Sequence, residues 1–240
     1  MTSTAAVSSL EAPQPGRWPL FGWFAVAFVI AAQAISIAIS APDRDMGDLQ
    51  KILYIHVPAA WNMGLCYLAV ALYSLRYLWK HNERDDLKAA AAAEVGTVLN
   101  GLTLILGMIW GRPTWGVWWA WDARVTSTLI MFLIFAGYLA LRSFVDEPDR
   151  RAQWSAAAGI FGAINYPIVY MSVRWWRTLH QVQSTPGTLD PSYTLSLRLN
   201  AFAILFLVIY FIRRRYEAAL TERVAEQVLQ AAALGGPVNA

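Results

Sequence analysis

Three histidines occur among the 240 residues, and two of them stand in settings that could do chemistry. His56 lies in Ile55-His56-Val57-Pro58-Ala59-Ala60-Trp61, about one turn into a long apolar stretch, or ~6 Å along a helix. His180 follows another apolar stretch, in Trp175-Trp176-Arg177-Thr178-Leu179-His180-Gln181. Between them runs Trp115-Gly116-Val117-Trp118-Trp119-Ala120-Trp121-Asp122, which packs four tryptophans into the segment 115–121. Neutral imidazole is a ready metal ligand, and two opposed imidazoles can take both axial positions of a haem iron. A lone histidine near a helix end is more often a polar group bonded to a neighbour; a second one at matching depth favours ligation. His81, in Lys80-His81-Asn82-Glu83-Arg84-Asp85-Asp86, falls in a charged loop and needs no role beyond solvation.

Tryptophan gathers at membrane interfaces because its ring is amphipathic, which accounts for Trp18, Trp23, Trp79 and Trp154 but less well for the cluster at 115–121. If that segment is helical, Trp115, Trp118, Trp119 and Asp122 share a face at i, i+3, i+4, i+7, with Trp121 beside them. Such a stripe is more often packing than a cofactor surface, yet a polar-side loop has little core to pack. A flat apolar macrocycle suits it, through area burial and ring stacking. Carboxylates on that macrocycle would need cations, and Lys51, Arg124 and Arg177 are near enough in sequence to supply them. The same side chains could instead snorkel to lipid headgroups. Asp122 could orient a histidine, bind Arg124, or cap the helix that begins after it.

The elements that must position these residues are membrane helices. Hydrophobic residues make up 57% and charged residues 15% of the chain, where soluble proteins run near half and a quarter. The apolar residues come in blocks, and a bilayer core takes ~20 of them per spanning helix. The pattern predicts an all-α integral membrane protein of six spans: Leu20–Ser40, Ile52–Leu75, Ala89–Trp110, Val125–Leu141, Trp154–Val173 and Leu195–Ile212. Twelve Lys and Arg residues fall on the side of the chain termini and seven on the other, so both termini are expected in the cytoplasm. The outer loops are then roughly 41–51, 111–124 and 174–194, with the tryptophan-rich loop between the third and fourth helices on the periplasmic side. Three regions follow: a disordered cytoplasmic tail over 1–19, a membrane domain over 20–213, and a helix-prone cytoplasmic tail over 214–240. The first span is expected to be a retained helix rather than a cleaved signal peptide, since its apolar run exceeds a typical h-region.

Basic residues clustered at the ends of apolar segments act as orientation signals, which argues against a nucleic-acid partner. Cys66 is the only cysteine, so the chain can form neither an internal disulfide, nor a zinc cluster of cysteines, nor a C-x-x-C-H haem attachment. No G-x-x-x-x-G-K-[ST] loop is present, so ATP-driven work would belong to a partner.

On three features the chain resembles the cytochrome c maturation protein C family (CcmC, haem exporter protein C), part of the wider group with a tryptophan-rich WWD domain. They are Trp115–Asp122 running on through Ala123-Arg124, His56-Val57-Pro58-Ala59-Ala60-Trp61, and Thr178-Leu179-His180-Gln181. The resemblance covers nearly all of the chain apart from its tails. It implies non-covalent haem b carried as a transported ligand against the tryptophan loop, with His56 and His180 as axial ligands. It also implies handover to the periplasmic haem chaperone CcmE during c-type cytochrome assembly, in the cell inner membrane. The implied partners are the ABC transporter subunits CcmA and CcmB and the small membrane subunit CcmD, with no covalent or catalytic step belonging to this chain.

Two other readings stay open on the residues alone. One is a b-type haem redox protein or quinol-linked cytochrome, although the inner side offers only His81. The other is a transporter in its own right, for which Glu94, Asn100 and Asn165 are the polar candidates along a path.

Overall fold

A computed structural model describes Leu10 and residues 18–180 and 190–233. The remainder of the N-terminal tail, Gln181 and the end of the C-terminal tail lie outside the described residues. Six helices are long and apolar enough to cross a membrane: α1 (Trp18–Ile39), α2 (Leu53–Lys80), α3 (Glu83–Trp115), α4 (Ala123–Phe144), α5 (Pro148–Trp175) and α6 (Pro191–Ala233). A short 3-10 turn, Asp48–Ile52, leads into α2. No strand occurs among the described residues.

Several helices outrun the expected spans, because polar residues extend them. Asn82 caps α3, its side chain accepting from the Arg84 N–H at 3.0 Å, and Glu83, Asp85 and Asp86 occupy the first turn where the helix dipole favours acids. The charged loop expected around His81 therefore shrinks to His81 and Asn82. His81 itself closes α2 in the left-handed conformation, φ 50°, and donates its N–H to the Tyr77 carbonyl at 2.7 Å. α6 runs unbroken through Arg213, Arg214 and Arg215 for 43 residues. At 1.5 Å per residue that is about 65 Å, twice the hydrocarbon thickness of a bilayer.

Close helix contact is set by small residues. A Cβ on Gly96 of α3 would stand 2.9 Å from the Cβ of Cys66, and the run Ala89–Ala93 is buried. Small residues let backbones approach where lipid gives no hydrophobic drive to associate. The core beside this contact is aromatic and thioether-rich, with Tyr67 and Phe135 stacked at 3.7 Å between ring centroids and Met63, Met131 and Tyr138 around them.

The polar groups inside the bundle are tied between helices. Pro58 has no N–H, so the Tyr54 carbonyl one turn back loses its ladder partner; the Gln33 side chain of α1 donates to it at 3.2 Å. Gln33 also donates to Asn200 of α6 at 2.7 Å, and Asn200 to Ser36 at 2.8 Å, which joins α1 to α6. Asn100 donates to the Tyr67 hydroxyl at 3.2 Å and Asn165 to the Ser127 carbonyl at 2.8 Å. Glu94 is ion-paired with Arg215. The three polar candidates for a transport path thus serve as inter-helix ties.

The helix order brings His56 and His180 to one end of the bundle and the arginine clusters to the other. At the arginine end Arg142 of α4 grips Asp86 of α3 with two hydrogen bonds of 2.6 and 2.8 Å, and both side chains are under 15% exposed. Arg76 pairs with Asp85 at 3.3 Å, while Arg223 reaches from the far part of α6 to Glu83. Removing one partner of a buried pair strands the other charge. Asp86→Ala is expected to cost about 3–5 kcal/mol, read as a lower midpoint of unfolding in detergent, whereas Asp86→Leu with Arg142→Met recovers most of the loss.

Candidate functional site

The site begins where α3 stops. Gly116 takes φ 78°, a left-handed conformation that suits glycine, and its N–H donates to the Arg112 carbonyl at 3.0 Å. The Arg112 side chain also bonds the Gly116 carbonyl, so the reversal is held from both sides. The following residues to Asp122 are irregular rather than helical, which corrects the shared helical face considered for this segment. The chain folds back over the end of the bundle instead. Trp115, Trp118 and Trp119 still face one cavity, brought together by the turn and not by helical spacing. Trp121 does not reach it: this ring is 76% exposed and packs edge-on against Trp119, 5.4 Å between centroids.

That cavity, about 150 Å³, lies among α2, α3, α4 and α5 beneath the tryptophan loop. His56 and Trp61 of α2, Gly107 and Met108 of α3, Arg124 and Thr128 of α4, and Tyr166 and Tyr170 of α5 contribute to its wall. His180 joins them from the segment after α5, so the two histidines do meet on one cavity.

Asp122 fixes one of them. Its Oδ1 accepts from the Val125 N–H at 2.8 Å and caps α4. Its Oδ2 accepts from the Thr178 hydroxyl at 2.6 Å and the Leu179 N–H at 3.1 Å, and lies 3.0 Å from His180 Nδ1. Burial alone would raise this carboxyl, but the bonds from His180, Thr178 and Val125 outweigh it and hold Asp122 well below the usual carboxylate range. An ionised Asp122 accepts the Nδ1 proton, which leaves the Nε2 lone pair available as a ligand. Two of the three roles considered for Asp122 are thereby met. The third is not, since Arg124 gives an Nη2 hydrogen bond to the Tyr170 carbonyl at 3.0 Å.

His56 is held differently. Its Nδ1 is buried without a hydrogen-bond partner, and its ring is wedged beside Gly107, where an added Cβ would come within 3.2 Å of Cε1. The Arg124 Nε and the Trp119 Nε1 are likewise buried and unpartnered. These orphaned groups, the His56 imidazole among them, and the His180 ring beside them are what an iron porphyrin would engage. No cluster of three or more His, Cys, Asp or Glu side chains able to hold a bare metal ion occurs among the described residues. A donor set of two imidazoles suits a metal that arrives with four ring nitrogens of its own.

Lys51 and Arg177 fall away from the cavity wall. Lys51 pairs with Asp48 at 2.6 Å, one helical turn back, and Arg177 is exposed. Sequence reasoning passed over Thr178 as an Asp122 partner and Tyr166 and Tyr170 as wall residues. The spacing Tyr166, Val169, Tyr170 marks one face of α5 and was the available signal for the tyrosines.

A bundle of helices long and apolar enough to cross a membrane, with a partly open aromatic cavity and two imidazoles on its wall, defines a class: multi-pass membrane proteins with a cavity at one end of the bundle. The profile of the family described as heme exporter protein C (CcmC) matches residues 4–231. The heme exporter protein C of Bradyrhizobium diazoefficiens is 39% identical over 87% of this chain and 82% of its own length. Those of Escherichia coli and Paracoccus denitrificans are 36% and 37% identical, over 80% and 75% of this chain and 82% and 77% of their lengths. The chain belongs to the heme exporter protein C family.

Replacing Asp122 by asparagine keeps the size of the side chain but allows its amide to donate to Nδ1, which moves the imidazole proton to Nε2 and removes the inward lone pair. Affinity for added haem is expected to fall about 10- to 100-fold, measured by titration of the visible spectrum.

Proposed function

We propose that this protein binds haem b non-covalently at the periplasmic face of the inner membrane and presents it to the haem chaperone CcmE during c-type cytochrome assembly. The observation that carries the reading is the meeting of His56 and His180 on one cavity under the tryptophan loop, with His180 oriented by Asp122. Membership of the heme exporter protein C family supports it.

In this reading the bound haem supplies an iron with two open axial positions. His180 offers Nε2 because Asp122 occupies Nδ1, and His56 offers the other imidazole from the first turns of α2. Trp115, Trp118 and Trp119 cover the porphyrin faces and keep water off them. Arg124, its Nε buried without a hydrogen-bond partner, would pair with a propionate. Lys51 and Arg177 serve at most at the outer rim, and Trp121 as support for Trp119.

Size argues for partial enclosure. A cavity of about 150 Å³ is one that accommodates a single benzene-sized ring, so most of a tetrapyrrole must project into the open mouth. An exposed edge is what a second protein needs in order to take the ligand over. Full burial would require the bundle to open first. The chain contributes capture, orientation and release, with no bond-making step of its own, and CcmA, CcmB and CcmD are the partners that would supply ATP-driven work and assembly.

The orientation follows the arginine clusters: both termini in the cytoplasm, the six-helix unit over 20–213 in the membrane, and 1–19 and 214–240 as cytoplasmic flanks. The redox alternative is disfavoured by the third histidine. His81 caps α2 at the arginine end, its ring 5.8 Å from Tyr77, and offers no second haem site.

His56→Ala and His180→Ala proteins purified in detergent are expected to lose haem or to show a Soret band shifted from that of bis-histidine ligation. Unchanged spectra in both would remove the ligand assignment. Single-cysteine variants at positions 49 and 179 should be labelled by an impermeant maleimide from the periplasmic side, whereas one at position 79 should not.

A further inference from the structure

The two imidazoles are fixed by different means, and the difference points to residues off the cavity wall. His180 is oriented by a hydrogen bond, whereas His56 Nδ1 makes no full hydrogen bond and has only the Thr103 backbone beside it, so ring packing contributes to the plane of its imidazole. Gly107 supplies one side of that packing. Trp110 of α3 supplies another, its centroid 6.1 Å from His56. Trp110 is in turn 6.3 Å from Trp115, and Trp115 is 4.8 Å from His180, so a row of rings links the two histidines. Trp110 does not line the cavity.

What holds Trp110 is the first connection at the histidine end. Asp43 and Gly47 exchange backbone hydrogen bonds of 3.1 and 3.0 Å. The Asp43 carboxylate accepts from the Asp45 and Met46 N–H groups at 2.9 and 3.0 Å, and Gly47 closes the turn at φ 57°. A turn so internally bonded fixes the directions in which its Cα–Cβ bonds leave the backbone. Met46 projects from it to α3, where its Sδ accepts from the Trp110 indole N–H at 3.3 Å, while the Thr114 hydroxyl nearby donates to the Trp110 carbonyl at 2.8 Å.

We infer that Met46, carried by the 43–47 turn, is a positioning residue for His56: it holds Trp110, and Trp110 holds the imidazole plane. The inference rests on the haem-binding reading for its purpose, but its first link belongs to the protein alone. A thioether contact with an aromatic group is weak, enough to bias a ring orientation without deciding whether the protein folds. Met46→Leu keeps the bulk and removes the acceptor; Met46→Gln restores an acceptor.

The experiment has a haem-free arm and a loaded arm. In haem-free protein labelled with 5-fluorotryptophan, the Trp110 fluorine resonance is the one lost in Trp110→Phe. It is expected to move in Met46→Leu and to return towards its wild-type position in Met46→Gln; a resonance that stays in place in Met46→Leu overturns the inference. In ferric loaded protein, Met46→Leu is expected to keep the haem content while broadening or shifting the largest g value of the bis-histidine signal. Haem loss to excess apomyoglobin is expected to quicken about threefold. Trp110→Phe should do the same, and the double variant no more than either alone, because both break one chain of contacts. An unchanged g value in Met46→Leu, or additive effects in the double variant, would also overturn it. Absence of a bis-histidine signal from the wild type, with the fluorine shift present, would instead sink the ligand assignment and confine Met46 to packing Trp110 on His56.

Discussion

The organisation of the histidine end depends on one carboxylate. Asp122 stands at the junction of the tryptophan loop and α4, and its two oxygens face different tasks. One satisfies an open N–H at the start of α4; the other gathers the Thr178 hydroxyl, the Leu179 N–H and the His180 ring. Without that charge, the described part of the segment after α5 would lose the hydrogen bonds that join it to the loop before α4, and His180 would lose the acceptor that fixes its tautomer. The cost of burying the carboxylate is offset by these bonds acting together, which is why the group stays ionised in a half-apolar setting. A single side chain therefore converts two connections, distant in sequence, into one wall.

Part of the cavity wall was legible because its residue types are rare in a lipid-facing sequence. Two histidines, a dense tryptophan run and Asp122 stand out against blocks of Leu, Ile, Val and Ala. Their arrangement was less legible. Helical spacing grouped Trp115, Trp118 and Trp119 correctly, but for a reason that does not apply, since Gly116 breaks the helix and the rings converge through a reversal. Lys51 and Arg177 were nominated by proximity in sequence alone. Lys51 turns instead to Asp48 one turn away, an interaction that sequence distance cannot rank against a cavity.

Helix existence was read well and helix ends less so. Apolar composition marks where a chain can lie in hydrocarbon, but it is silent on where backbone hydrogen bonding continues into water. Asn82 and the acids after it start α3 before the membrane, and α6 meets no breaker at its arginines. Those extensions carry ion pairs between α3 and α6, Arg223 with Glu83 and Arg215 with Glu94. The arginine end is thus held by charge and the histidine end by rings and one acid, so the two ends of the same bundle answer differently to salt.

Pro58 bears on how α1 and α6 are connected to the histidine end. An amide hydrogen is missing just past His56, and the oxygen it would have met is taken by Gln33 from the neighbouring helix. The upper part of α2 is consequently fastened sideways as well as lengthwise. Through Asn200, the same glutamine is fastened to α6. A push on α1 or α6 has a short polar route to the α2 backbone beside His56.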